Sequence, residues 1–344
     1  MNPLMYSTIL LIPGFAILGL LAGGLWTFSV LILCFVLLPL AEIFWRGDQI
    51  ETDLAITEDP KYRAHINFPI YSAVACHFGL LVFFLSSISN QSYAVWEIVG
   101  LITAMAISCG AIGINIAHEL GHRVDRRDQR IAKLLLCTSL YVHFFIEHNR
   151  GHHAQVGTTS DPATARKGIT VYRFLPKSVI GGWLSAWKLE SDRLRRRKQR
   201  TLSFGNEMIR WQAIQLCMVG AIGVTFGTTS LLAFIGAAGG GVFLLECINY
   251  VEHYGLVRGR TSEGRLLPVK PEHSWNSSSL LGRLFLFELP RHSDHHARPK
   301  KTYSTLRHMD EAPLLPTGYS GMILLSLIPP VYFAIMHPLL AERT

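Results

Sequence analysis

The sequence predicts an all-α integral membrane protein: six transmembrane helices arranged as three hairpins, with a cytoplasmic helical cap that carries a histidine-rich metal centre. Three observations predict it. Hydrophobic residues make up 49% of the 344 and charged residues only 16%, with a mean hydropathy of +0.28, which is wrong for a soluble domain of this length. Residues 1–45, 67–117 and 211–251 contain no Lys or Arg. Nine of the fifteen histidines fall into four compact groups beside the ends of these blocks or in the polar segments between them.

A spanning helix needs about 20 largely apolar residues. Each basic-free block is long enough for two spans joined by a short turn, so spans are expected at 5–23, 26–45, 67–88, 95–117, 211–229 and 231–251. Basic residues flanking spans stay cytoplasmic. Three hairpins therefore place both termini and the segments 46–66, 118–210 and 252–344 on that side of a bacterial inner membrane, all within one domain covering 1–344. The opening residues lack the charged region and cleavage site of a signal peptide, so the first span is expected to be retained.

The excess of positive charge, +8, follows from this topology and gives no reason to expect nucleic-acid binding. The run Arg193-Leu194-Arg195-Arg196-Arg197-Lys198-Gln199-Arg200 lies just ahead of a span, which suits anionic headgroups or an acidic partner. Cys34, Cys76, Cys109, Cys137, Cys217 and Cys247 are scattered and form no CxxC pair, so this chain builds no iron–sulfur or rubredoxin-like module of its own. Any electrons must come from another protein. The small residues from Gly236 to Gly241 allow close helix packing or room for a ligand.

The histidines decide the class. His118-Glu119-Leu120-Gly121-His122 spells the HExxH pattern of zinc proteases. Three further groups follow: His148, His152 and His153 in "EHNRGHH"; His253 in "NYVEHYGL"; and His292, His295 and His296 in "RHSDHH". Residues three or four apart share a helix face. His118 should therefore project with His122, His148 with His152, and His292 with His295 and His296. The second histidine of each HH pair points about 100° around the helix, so one helix can serve two neighbouring metals. That many imidazoles are too many for one ion, and two metals are the economical reading. A zinc protease with Glu119 as general base would leave the later histidines without work. Imidazole alone suits zinc, copper, iron or nickel.

The order HxxxH, HxxxHH, HxxHH resembles the membrane-bound histidine-box oxygenases and desaturases, which activate O2 at a di-iron site. Within them, "HELGHR", "EHNRGHH", "NYVEHYGL" and "RHSDHHARP" resemble the motifs of bacterial alkane 1-monooxygenases, as do "SDPATARKG", "PEHSWNS" and "PTGYSGMILLSLIPP". The resemblance covers roughly residues 110–340. It implies that His118, His122, His148, His152, His153, His253, His292, His295 and His296 hold two non-haem irons. It also implies O2-dependent hydroxylation of the terminal methyl of alkanes to 1-alkanols, with electrons from a rubredoxin and a separate rubredoxin reductase.

Glu119, Glu147, Glu252 and Asp294 stand beside these histidines, and Asn249 lies one turn before His253. They are the candidates to orient imidazoles from behind. His65, His77, His143, His273, His308 and His337 are expected not to be ligands, with His273 the strongest candidate for a supporting role. Substrate selection is expected from an apolar tunnel through the spans, to which Phe28, Phe35, Trp45, Phe83, Phe84 and Trp96 could contribute. The basic segments 123–133, 193–200 and 298–301 offer a docking face to an acidic rubredoxin.

Two alternatives stand beside this reading: a xylene-type monooxygenase acting on aromatic methyl groups, and, more remotely, the intramembrane zinc protease. The chain departs from the family pattern in being short and in placing Pro290 where Leu-Gln-Arg is usual before the histidine. That proline restrains the backbone two residues ahead of His292 and bears on substrate range rather than on metal binding.

Overall fold

Apolar length sets the first elements. The computed structural model describes residues 2–44 and 60–342, in which α1 spans Pro3–Ala22, α2 Gly24–Phe44, α3 Pro60–Asn90 and α4 Val95–His122. After α4 come α5 (Arg126–Cys137), α6 (143–155), α7 (Val171–Arg196) and α8 (Glu207–His253). Four short helices complete the chain: α9 (Leu280–Phe285), α10 (His292–Ala297), α11 (Tyr319–Ser326) and α12 (Pro329–Ala341). Five of these, α1 to α4 and α8, are long and apolar enough to cross a bilayer. The four spans expected between 5 and 117 lie on the first four helices. Trp45 and most of the 46–66 segment lie outside the described residues.

The fifth and sixth expected spans fall together on α8, whose 47 residues are broken at Gly227, with φ 79° and ψ 174°. Glycine tolerates this left-handed φ. A Cβ at Gly223 would come within 3.2 Å of the Leu231 side chain. In a continuous helix these positions stand about 12 Å apart along the axis, so the chain folds back on itself at Gly227.

The small residues in the second half of α8 let it press against α4. A Cβ at Gly240 would lie 2.6 Å from Ala106 Cβ, and one at Gly241 the same distance from Cys109 Cβ. In this contact α4 contains a π turn, Cys109–Ile114, just before its first histidine. Single π turns of this kind re-aim the residues that follow them.

The polar segments close over the histidine-bearing end through loops as much as helices. Gly255 N–H donates to Ala165 O, Arg258 N–H to Gly157 O and Trp275 N–H to Glu252 O, each at 2.8 Å. Within the segment 252–344, expected to lie on the cytoplasmic side, stands the apolar pair α11 and α12. Tyr319, Met322, Tyr332 and Met336 are buried against Cys247, Tyr250 and Tyr254 of α8. At 8 and 13 residues, roughly 12 and 20 Å, neither helix is long enough to span.

Candidate metal centre

The nine histidines converge in two groups: His118, His122, His148, His153 and His295 in one, and His152, His253, His292 and His296 in the other. Within each group the ligand nitrogens lie within 4.8 Å of one another, and no Cys, Asp or Glu among the described residues joins either. In the first group Nε2 atoms are separated by 2.9 Å (His118–His295), 3.2 Å (His295–His153), 3.0 Å (His153–His148) and 3.1 Å (His148–His122). In the second the separations are 3.2 Å (His152–His296), 2.9 Å (His296–His292) and 3.2 Å (His292–His253).

These separations test the fit to a metal. With metal–nitrogen bonds near 2.1 Å, ligands at right angles lie about 3.0 Å apart, whereas tetrahedral ligands lie about 3.4 Å apart. The observed spacing, 2.9–3.2 Å, is that of donors able to share one ion. The first group also has five donors, one more than a tetrahedral zinc takes.

Tautomer chemistry agrees. His152 Nδ1 is 2.9 Å from Asp161 Oδ2, and a neutral ring that donates there leaves its Nε2 as a bare lone pair facing His296 Nε2. Burial, followed by the neighbouring imidazoles, pushes His148, His153, His292, His295 and His296 well below the usual histidine range. They are thus held in the neutral form that binds metals. Burial also opposes charge on His152, but the Asp161 carboxylate outweighs it and lifts His152 to about 8.

Helix geometry sorts the ligands, and here the structure corrects two expected pairings. His148 does not share a group with His152. A π turn runs from His148 to His152, and because it closes over five residues it brings His148 onto the same side as His153. In an α-helix residues five apart point about 140° away from each other. On α10 His292 pairs with His296, one helical turn away, while His295 points into the first group. His118 and His122 do act together, and each HH pair serves both groups.

Of the supporting candidates, Glu252 comes nearest to a ligand. Its Oε2 lies 3.2 Å from His292 Nε2, the inward-facing nitrogen rather than the outer ring N–H, while Tyr319 OH donates to its Oε1 at 2.6 Å. Glu119 is held by Arg123 Nε at 3.2 Å. Asp294 accepts from Lys301 Nζ at 2.7 Å and from the Arg307 amide at 2.9 Å, which ties down the loop after α10. Asn249 donates to Glu246 at 3.3 Å. Glu147 accepts from Ser185 at 3.4 Å; burial, then the nearby Asp161, raises it to about 8. None of these four has a contact with a ligand ring like that of Asp161.

Asp161 escaped the sequence reading, although it is the only carboxylate between Glu147 and Glu190. Among the remaining histidines, His77 is satisfied by Ser108 and Thr138 at 2.8 and 2.9 Å, and His337 by Tyr254 OH at 2.9 Å. The His273 ring accepts from the Lys270 amide in its own turn, while the residue's backbone bears on His253 of the second group.

An apolar cavity of about 90 Å³ adjoins the histidines. His118, His148 and His292 stand on its wall beside Glu252 and Tyr319, and Phe35 and Leu38 of α2, Ile107 and Ala111 of α4 and Leu245 of α8 line it. Among the described tunnel aromatics, only Phe35 lines it. Phe28 and Trp96 stack on each other at 6.3 Å, and Phe84 packs into the core.

Two adjoining, purely imidazole metal-binding groups at the end of an apolar helical bundle define a histidine-box metalloenzyme of the membrane. The fatty acid desaturase family model matches residues 94–325. Alkane 1-monooxygenase 2 of Pseudomonas aeruginosa is 39% identical over 316 residues, covering 91% of this chain and 84% of that protein. Alkane 1-monooxygenase of Acinetobacter baylyi is 42% identical over 242 residues, covering 70% and 59%. The xylene/toluene monooxygenase hydroxylase component of Pseudomonas putida is 27% identical over 346 residues, covering 98% and 88%. The chain belongs to the alkane 1-monooxygenases, within the histidine-box family of the fatty acid desaturases.

Proposed function

We propose that this protein hydroxylates the terminal methyl of alkanes to 1-alkanols, using O2 and two irons held by the nine histidines. The observation that carries the reading is the opening of the apolar cavity onto His118, His148 and His292. The higher identity to alkane than to xylene monooxygenases favours the alkane branch. Bound iron would supply O2 activation and removal of hydrogen from an unactivated C–H bond.

The protein's own residues do the rest. The cavity offers hydrocarbon a dry path to the histidines, because its lining provides few polar partners away from them. Glu252, with Tyr319 donating to Oε1, keeps Oε2 toward the histidines, where it is placed to pass a proton. Asp161 fixes the His152 ring.

Six spans, with α8 counted as two, and a histidine-bearing cap facing the cytoplasm of an inner membrane accord with the distribution of Lys and Arg. Electrons would come from a rubredoxin and its reductase. Exposed Arg298 and Lys300 follow α10 directly and suit an acidic partner.

Metal content measured alongside product analysis tests the reading, with rubredoxin, its reductase and NADH supplied and octane and xylene given in turn. About two irons and predominantly 1-octanol are expected. A benzylic alcohol as the main product would move the protein to the aromatic branch, and one zinc with no O2-dependent product would overturn the reading.

A further inference from the structure

Arg126, Arg130, Lys133, Glu207, Arg210, Trp211 and Ile214 line a groove of about 600 Å³ between α5 and the first turns of α8. Four cations thus face one carboxylate, and that carboxylate is already engaged. Lys133 Nζ lies 3.4 Å from Glu207, Arg210 NH2 3.8 Å and Arg150 NH2 3.9 Å. Among the described residues, neither Arg126 nor Arg130 has an ion-pair partner, and both are exposed one helical turn apart on α5.

The groove also sits at a membrane border by construction. It lies where α4 ends at His122 and α8 begins at Glu207, and Trp211 and Ile214 continue from its charged floor onto the apolar surface of α8. Ile214 at its apolar end is exposed by 45%. Unneutralised arginines next to a Trp-edged apolar surface match a ligand with an anionic head and an apolar tail.

We propose that this groove binds an anionic phospholipid. Arg126, Arg130 and Arg210 hold the headgroup phosphate, Lys133 neutralises Glu207 beneath it, and an acyl chain follows Trp211 and Ile214. The inference uses no metal ligand and holds whichever hydrocarbon the enzyme oxidises. It also assigns part of the 123–133 segment to lipid rather than to a protein partner.

The test is native mass spectrometry of the full-length, metal-loaded protein in detergent, titrated with phosphatidylglycerol and with phosphatidylcholine of the same acyl chains. Phosphatidylglycerol should bind at least tenfold more tightly. Each cation near a membrane surface contributes roughly fivefold, so Arg126→Gln with Arg130→Gln should weaken phosphatidylglycerol about 25-fold. Phosphatidylcholine binding and metal content should stay unchanged, which shows that the variant is folded.

Arg260→Gln with Arg265→Gln, which removes exposed charge outside the groove, should change nothing. Equal affinity for the two lipids, or equal losses in both double variants, would overturn the site. Displacement by millimolar inorganic phosphate would overturn the lipid and leave a free-anion site. Unchanged lipid binding with lost electron uptake from reduced rubredoxin would overturn it in favour of an acidic protein.

Discussion

Replacing Asp161 by Asn removes one charge from behind the second histidine group while preserving shape. The pair it breaks is buried on both sides, with side-chain exposures of 2% for His152 and 0% for Asp161, so solvent screens it little. A hydrogen bond to a charged group of this kind contributes about 1.5–3 kcal/mol. That corresponds to roughly 10- to 100-fold in an equilibrium constant, the range in which losing a partner behind a metal-binding histidine lowers metal affinity. A graded chelator titration with metal analysis should therefore show metal leaving the His152, His253, His292 and His296 group at about 10- to 100-fold lower chelator activity, with the other group unaffected.

The pH dependence has a definite sign. In the stripped protein the proton on His152 competes with metal, so uptake by this group rises as pH climbs through about 8. The pair stabilises the metal-free fold fully below the unfolded histidine value of about 6.5, and that stability is lost as pH rises through about 8. In Asp161→Asn both transitions should move to lower pH. A chelator midpoint within twofold of wild type, or loss of metal from both groups together, would refute the supporting role of Asp161.

Glu119→Gln should retain metal and lose no more than a few-fold in hydroxylation rate, because Glu119 is engaged with Arg123; complete loss of turnover would return it to the role of a general base. His152→Ala should lose metal from its group and hydroxylation together, seen by metal analysis and product assay. Ala111→Phe fills much of a cavity of about 90 Å³, so activity should fall first on the longest alkanes at unchanged metal content, measured over a chain-length series. Gly241→Ala should destabilise the protein by about 1–3 kcal/mol in denaturant unfolding, because its Cβ would meet Cys109 Cβ at 2.6 Å. Gly239→Ala, with nothing within 4 Å, should be neutral or slightly stabilising.

Much of the site was legible because metal chemistry restricts residue type. Few functions other than metal binding call for HxxxH, HxxxHH and HxxHH in one chain, so all nine clustered histidines appear in the two groups and none of the scattered six does. The Lys/Arg-free blocks were equally direct, since hydrocarbon excludes charge wherever in the sequence it falls. Sequence neighbours misled where backbone geometry intervened. Glu119, Glu147 and Asp294 adjoin ligands in the chain, yet their carboxylates turn to Arg123, Ser185 and Lys301. Asp161, nine residues from His152, makes the contact they were expected to make.

By itself, then, the sequence determined that the chain is an apolar helical bundle and which nine imidazoles are brought together in groups suited to metal. Each of these depends on what a residue is, and solvation and ligand chemistry act on residue type without regard to partners. Only the tertiary structure decided which histidines fall into one group, which carboxylate stands behind His152, and which aromatic lines the cavity. Those outcomes turn on direction. The π turn at His148–His152 puts His148 with His153 rather than with His152, and the reversal at Gly227 brings the second half of α8 against α4. A pattern that assumes regular helices carries neither rotation, so the pairing of ligands emerges only once the chain is packed.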